Sequence, residues 1–168
     1  MSKKNKLFKN TKAEQFLISL PQTSLDDQKD LLTVRCKFNF HYLSTTPPAA
    51  PINSNGDSLL KHLKVFSEHP LSYWEKQRHG GSRNNFYLVY YDTFPPSHKT
   101  LFNYPKCVPA DVRWARFILS GKQRLIGFVI PEDKNGTIHP GTRILFDNNT
   151  FYCVFIDLKH EFWKMSSD

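Results

Sequence analysis

The fold is decided by residues 113–130, which read Arg113-Trp-Ala-Arg-Phe-Ile-Leu-Ser-Gly-Lys-Gln-Arg-Leu-Ile-Gly-Phe-Val-Ile130. Two runs rich in apolar and β-branched residues, 113–119 and 124–130, flank the turn-forming Ser120-Gly121-Lys122. This spacing predicts a β-hairpin, because glycine adopts the backbone angles of a tight turn and both flanking runs favour extended structure. The hairpin is the centre from which the rest of the fold is predicted.

Further strands and a helix surround the hairpin in the sequence. Residues 32–43 alternate between apolar and polar, and residues 86–91 are a compact aromatic and β-branched run, so both predict strands. Residues 59–66 carry apolar side chains at helical spacing. Residues 143–146 and 151–156 predict two more strands joined by a turn. The expected fold is α+β, with a curved antiparallel sheet of five to six strands and one or two helices packed on one face.

Composition indicates one folded domain with a charged end. The chain has 168 residues, of which 39% are hydrophobic and 14% aromatic, which is enough to form one core. Residues 1–12 contain five lysines and are predicted to form a flexible basic arm. Residues 13–168 are then a single α+β domain.

Cysteine usage and hydropathy indicate the compartment. The three cysteines are far apart and form no C-x-x-C motif, which favours a reducing cytoplasm. No apolar run approaches 18 residues, and the N-terminal segment lacks the apolar stretch of a signal peptide. We therefore expect a cytoplasmic protein that does not bind membranes.

The charge balance favours an acidic partner. The formal net charge is +8 and the isoelectric point is about 9.4. A basic surface binds nucleic acid by neutralising its phosphates, so RNA or a ribonucleoprotein is the expected partner. The alternative is that the lysine-rich end only increases solubility.

The hairpin itself is the first candidate site. Arg113, Arg116, Lys122 and Arg124 can bind phosphates, with arginine offering a bidentate fork, while Trp114 can stack on a base. The alternative is a solvated strand face with Trp114 in the core.

A second basic cluster surrounds a pair of glycines, in the segment Arg78-His79-Gly80-Gly81-Ser82-Arg83. Arg78 and Arg83 can bind phosphate together with the glycine amides, and His79 can transfer a proton near neutral pH. The alternative is a helix C-terminus closed by glycine, where basic side chains suit the helix dipole.

The C-terminal strand leads to a third candidate site. A metal-free ribonuclease needs a base, a cation on the phosphate and a proton donor for the leaving oxygen. His160 or His79 can transfer the proton and Arg124 can hold the phosphate, with no metal or cofactor. A rival hypothesis is a metal-dependent nuclease, in which Asp147 and Asp157 bind a divalent ion and Lys159 positions water.

The last third of the chain also carries a resemblance to known proteins. Residues 113–163 end in Asn149-Thr-Phe-Tyr152, an apolar strand and Asp157-Leu-Lys-His160-Glu-Phe-Trp163. This block resembles the tail of small uncharacterised prokaryotic proteins carried on mobile elements, a resemblance that implies no activity. A looser analogy to RelE-like toxins implies ribosome or RNA binding and mRNA cleavage, with Arg124, His160 and Trp163 near the site. The present chain is longer than that family, and its sequence shows no long helical hairpin.

Three functional hypotheses follow from these features. The first is an RNA-binding protein acting as a toxin-type endoribonuclease, for which an antitoxin partner is expected. The second is a non-enzymatic defence or counter-defence module that binds a protein or ribonucleoprotein through its aromatic-rich loops. The third is the metal-dependent nuclease.

Overall fold

The computed structural model describes residues 11–20, 32–51, 56–80 and 85–164. The chain divides into two compact units, Met1–Thr33 and Val34–Asp168. In the first unit, helix α1 spans Thr11–Ser19 and buries none of its side chains. Residues 1–10 of the predicted basic arm lie outside the described residues, and the extent of the arm stays a prediction.

The second unit contains five strands and two helices. The strands are β1 (Lys37–Asn39), β2 (Leu88–Asp92), β3 (Arg113–Ile118), β4 (Arg124–Val129) and β5 (Thr150–Asp157), and the helices are α2 (Gly56–Phe66) and α3 (Leu71–Trp74). Short 3₁₀ turns occupy Ser97–Lys99 and Glu132–Lys134. None of the helices in the described part of the chain has the length and apolar character that crossing a bilayer requires.

The predicted hairpin forms the centre of the sheet, whose order is β1-β5-β4-β3-β2. Strands β3 and β4 pair antiparallel, with Trp114 opposite Phe128 and Ile118 opposite Arg124. Gly121 makes the connecting turn with a φ of 50°, a left-handed conformation that glycine adopts without strain. The predicted α+β class, the five-strand count and the helices on one face are thus confirmed.

One edge of the sheet departs from the antiparallel pattern. Strand β1 runs parallel to β5, pairing Lys37 with Thr150, so the sheet is mixed. Helices α2 and α3 follow β1 in the chain, and such a long crossover permits a parallel pair that a tight turn cannot make. Residues 143–146 form no strand. They contribute only a single bridge, from Leu145 to Ile138, and Arg143 has a φ of 63°.

Helices α2 and α3 cover one side of the sheet, which we name the helix face. Leu59, Leu63 and Phe66 of α2 are buried against this face together with Trp74 of α3. The ring of Phe66 stacks on that of Phe117 from β3, with 4.5 Å between centroids. Aromatic burial of this kind fixes the helices on the sheet.

Helices α2 and α3 do not cover the opposite side of the sheet, which we name the arginine face. Its buried cluster includes Trp114, Ile126 and Phe155. The segment between β2 and β3 covers this cluster, and Phe162 inserts from the chain after β5. Successive side chains of a strand point to opposite sides of the sheet, and the β3–β4 register places Arg116 and Arg124 on the same side as Trp114. The arginine face therefore carries both arginines, at the end of the hairpin nearest its turn.

Candidate functional site

Two arginines meet on the arginine face. Arg116 on β3 lies opposite Ile126, and Arg124 on β4 lies opposite Ile118. The two arginines are therefore diagonal neighbours on the same side of the hairpin, where long side chains reach each other. We refer to Arg116 and Arg124 as the arginine pair.

The arginine pair keeps donors without acceptors. Nε and Nη1 of Arg116 and Nε of Arg124 are buried and have no hydrogen-bond partner. Nη1 of Arg124 donates to the carbonyl oxygens of Gly121, at 2.7 Å, and Gln123, at 2.8 Å, which anchors that side chain to the turn. Burial and the charge of Arg116 lower the pKa of Arg124, yet a guanidinium stays protonated in proteins. Buried charged donors of this kind are suited to an anion.

A buried carboxylate lies beside the arginine pair, but its oxygens accept hydrogen bonds from backbone amides. Asp157 at the end of β5 is opposite Arg124 and is 1% exposed. Its Oδ1 accepts the amide of Lys159 at 3.1 Å, and its Oδ2 accepts the amide of Phe162 at 2.8 Å. Asp157 thus fixes the turn that follows β5 and supplies negative charge next to the arginines.

His160 stands in that turn. It is half-buried and has a φ of 62°, a left-handed conformation that histidine tolerates better than most residues. Its pKa is lowered, first by burial and then by the charges of Arg124 and Arg116, while Asp157 opposes the shift. His160 is therefore neutral at neutral pH and can accept a proton.

Lys122 completes the positive side of the site. It is exposed in the hairpin turn, and its charge also contributes to the lowered pKa of His160. The structure thus brings Arg116 and Lys122 of the basic hairpin together with Arg124 and His160, which the metal-free ribonuclease hypothesis had already placed at one site.

Tyr91 is a member of the site that sequence reasoning missed. It lies on β2, and its pKa is raised by burial, against the lowering effects of the Arg116 charge and of a hydrogen bond with Arg116. Its phenol therefore stays protonated. Its ring stacks on Trp163, with 4.7 Å between centroids and 10° between planes. Tyr91 sits in an aromatic run typical of a core strand, so only the β2–β3 pairing reveals its position.

Two hairpin residues do not join the site. Arg113 points away from the arginine face: its Nε bonds Asp92 Oδ1 at 2.5 Å, and its guanidinium lies 3.8 Å from the ring centroid of Tyr90. Trp114 is 1% exposed and packs against Phe94 and Phe155. Its ring has no free face, so the expectation that Trp114 stacks on a base is corrected.

The glycine segment lies elsewhere. The ring of His79 packs edge-on against Tyr87, 5.1 Å between centroids, in a cavity that Phe66 and Trp74 line on the helix face. The exposed Arg78 lies 6.0 Å from the ring of Phe86, and Arg83 is outside the described residues. The two histidines are therefore on opposite sides of the sheet, and no single site contains both.

The aspartates of the metal hypothesis are also far apart. Asp147 precedes β5, where its Oδ2 accepts bonds from Lys37 Nζ at 2.6 Å and Thr150 Oγ1 at 2.9 Å. Asp157 ends the same strand, so about 23 Å separates the strand's two ends at the usual rise per residue. The two carboxylates cannot share one ion. In the described ranges no three histidine, cysteine, aspartate or glutamate side chains are grouped as metal ligands.

The arginine pair, Lys122, His160, Tyr91 and Trp163 together form the candidate site at one end of the arginine face. Function has to be inferred from the chemistry of such a site, since a fold alone does not determine it. No family model, curated protein or solved structure was found that matches this chain.

Proposed function

We propose that the protein binds RNA and cleaves it as a toxin-type endoribonuclease, in the cytoplasm and without a metal ion. The observation that carries this proposal is the arginine pair, whose buried N–H groups lack acceptors, beside a histidine with a lowered pKa. One group is suited to hold a phosphate and the other to accept a proton.

The arginine pair supports phosphate binding and charge stabilisation. When the 2′-oxygen of a ribose attacks the neighbouring phosphorus, negative charge grows on the non-bridging oxygens. Nε and Nη1 of Arg116 and Nε of Arg124 have no protein acceptor to give up, and the Arg124 side chain is anchored through Nη1 to the hairpin turn, so these groups donate to the oxygens as the charge develops. Preorganised donors in a site with little water are an effective source of catalysis.

His160 and Tyr91 support the proton transfers. Neutral His160 accepts the proton of the 2′-hydroxyl as the bond from the 2′-oxygen to phosphorus forms. The bond from phosphorus to the 5′-oxygen breaks, and protonated Tyr91, beside Arg116, gives its proton to that oxygen. The products are a 2′,3′-cyclic phosphate and a free 5′-hydroxyl. Each role uses a group in the protonation state that its surroundings favour.

The test is cleavage of a short single-stranded RNA by the purified full chain in the presence of a chelator. We expect His160→Gln to reduce the rate about 100-fold or more. His79→Gln is the matched control, because the same change on the helix face leaves the rate unaltered. Replacing the attacking 2′-hydroxyl by hydrogen abolishes cleavage.

The pH profile provides a second readout of His160. Because the protonated imidazole cannot accept a proton, the rate falls as the pH decreases through the pKa of His160, which lies below its ordinary value of 6.5. Cleavage that survives His160→Gln, or that stops only in chelator, overturns the proposed mechanism. RNA binding that depends on Arg116 without any cleavage favours the non-enzymatic binding module.

A further inference from the structure

We propose that Trp163 is the nucleobase platform of this site, on which the base adjacent to the bound phosphate stacks. The inference deepens the proposed function and rests on it, since it takes the arginine pair as the place of the RNA backbone. Trp163 thus takes the stacking role that was expected of Trp114.

Accessibility distinguishes Trp163 from the other tryptophans. Trp114 is 1% exposed and Trp74 is 6% exposed, the latter on the helix face. Trp163 is half-buried even though Tyr91 covers one face of its indole. Part of this residue therefore remains accessible to solvent, and we infer that the indole face not covered by Tyr91 is where a flat aromatic partner replaces that solvent.

The indole is held in place by its neighbours on both sides. The amide of Phe162 donates to Asp157 Oδ2 at 2.8 Å, and the amide of Lys164 donates to the carbonyl oxygen of Lys99 at 2.8 Å. The stacked ring of Tyr91 supports the side chain from below. A ring fixed before binding loses little conformational freedom when a base stacks on it.

The platform is continuous with the phosphate-binding groups. Tyr91 stacks on Trp163 with its ring and contacts Arg116 through its hydroxyl. His160 is three residues before Trp163 in the same anchored turn. Cationic groups beside an aromatic ring are the usual combination for binding single-stranded nucleic acid, where the phosphate and the base of one nucleotide are held together.

The experiment compares ligands with and without a base. The probes are a deoxydinucleotide, which cannot be cleaved because it lacks a 2′-hydroxyl, and inorganic phosphate. We expect Trp163→Ala to weaken dinucleotide binding about 10-fold or more, as loss of one base stack does, with phosphate affinity unchanged. Trp163→Phe restores part of the affinity, because a smaller ring still stacks. Dinucleotide binding should also quench tryptophan fluorescence in the native chain and not in Trp163→Phe.

The outcomes separate this inference from the proposed function. If Trp163→Ala loses dinucleotide and phosphate affinity equally, or loses neither, the proposal that Trp163 binds the base is wrong. Circular dichroism of Trp163→Phe verifies that the variant is folded. If no RNA is cleaved but the base-dependent loss is observed, the platform stands and only the proposed catalysis is overturned.

Discussion

At the residue scale, the arginine pair combines a functional advantage with a cost to folding. The buried Nε and Nη1 atoms of Arg116 have lost water without gaining a protein acceptor. Leaving a buried donor unsatisfied costs about 1 to 3 kcal/mol, and more for a charged group. Sites that bind charged ligands often accept such a cost.

Arg116→Met is therefore expected to stabilise the protein while abolishing phosphate binding. Methionine keeps an apolar stem, removes the unsatisfied donors and removes the repulsion between Arg116 and Arg124. We expect these gains to exceed the loss of the hydrogen bond with Tyr91, so the free energy of unfolding should rise by about 1 kcal/mol. Urea denaturation at neutral pH measures this change. Arg113→Met is the control: it removes an exposed ion pair with Asp92 and should change stability by less than about 1 kcal/mol. A clear loss of stability in Arg116→Met contradicts the argument.

The candidate residues differ in how far sequence alone identified them. Arg116, Lys122 and Arg124 are recognisable because three basic residues fall within the nine positions 116–124 of a short hairpin. His160 follows a strand end, where functional side chains often lie. Tyr91 carries no such mark, since aromatic residues in strands are mostly core and its nearness to Arg116 depends on strand pairing.

At the element scale, the pairing of β4 with β5 determines where the site lies. The register shifts between Ile126 and Gly127, so that Gly127 lies opposite Cys153 after the irregularity. A Cβ on Gly127 would collide with the carbonyl oxygen of Tyr152 and approach Phe151 Cε1 to 2.6 Å. The close contact of the two strands here requires a residue without a side chain.

Gly127→Ala should separate these strands and destabilise the protein. Because one collision involves backbone, which cannot rotate away, we expect a loss of about 3 kcal/mol in the free energy of unfolding. Chemical denaturation measures it. Gly56→Ala, at the start of α2 with nothing within 4 Å of the new Cβ, is the matched control and should be neutral. Equal stability of both variants would show that the β4–β5 pairing adapts.

At the scale of the whole molecule, the sheet of the second unit separates two sets of basic residues. The helix face has Lys61 and His79 near its rim, and the arginine face has the arginine pair, Lys122 and His160. A net charge of +8 attracts polyanions of any kind, but the proposed RNA site uses only the second set. Salt dependence distinguishes the general attraction from the specific contacts.

RNA affinity should fall steeply as the salt concentration rises. The steepness of this fall should depend on the basic residues of the arginine face and not on those of the helix face. Each phosphate contact to a single strand contributes about 0.7 to the slope of log affinity against log salt concentration. Lys122→Ala should therefore reduce the slope by about 0.7 between about 50 and about 200 mM salt, whereas Lys61→Ala should leave it unchanged. Fluorescence anisotropy of a labelled RNA measures both. Equal effects of the two variants would contradict binding on the arginine face.

The amino-acid sequence by itself determined the β3–β4 hairpin, the α+β class, the apolar stripe of α2 and the basic character of the surface. These features depend on turn chemistry, alternation and composition, which are local properties. Only the tertiary structure decided that β1 pairs in parallel with β5, that Trp114 is buried, that His79 and His160 are on opposite faces, and that Tyr91 connects Trp163 to the arginine pair. Each of these depends on register and on contacts between distant segments, because a shift of one residue in a strand moves a side chain to the other side of the sheet.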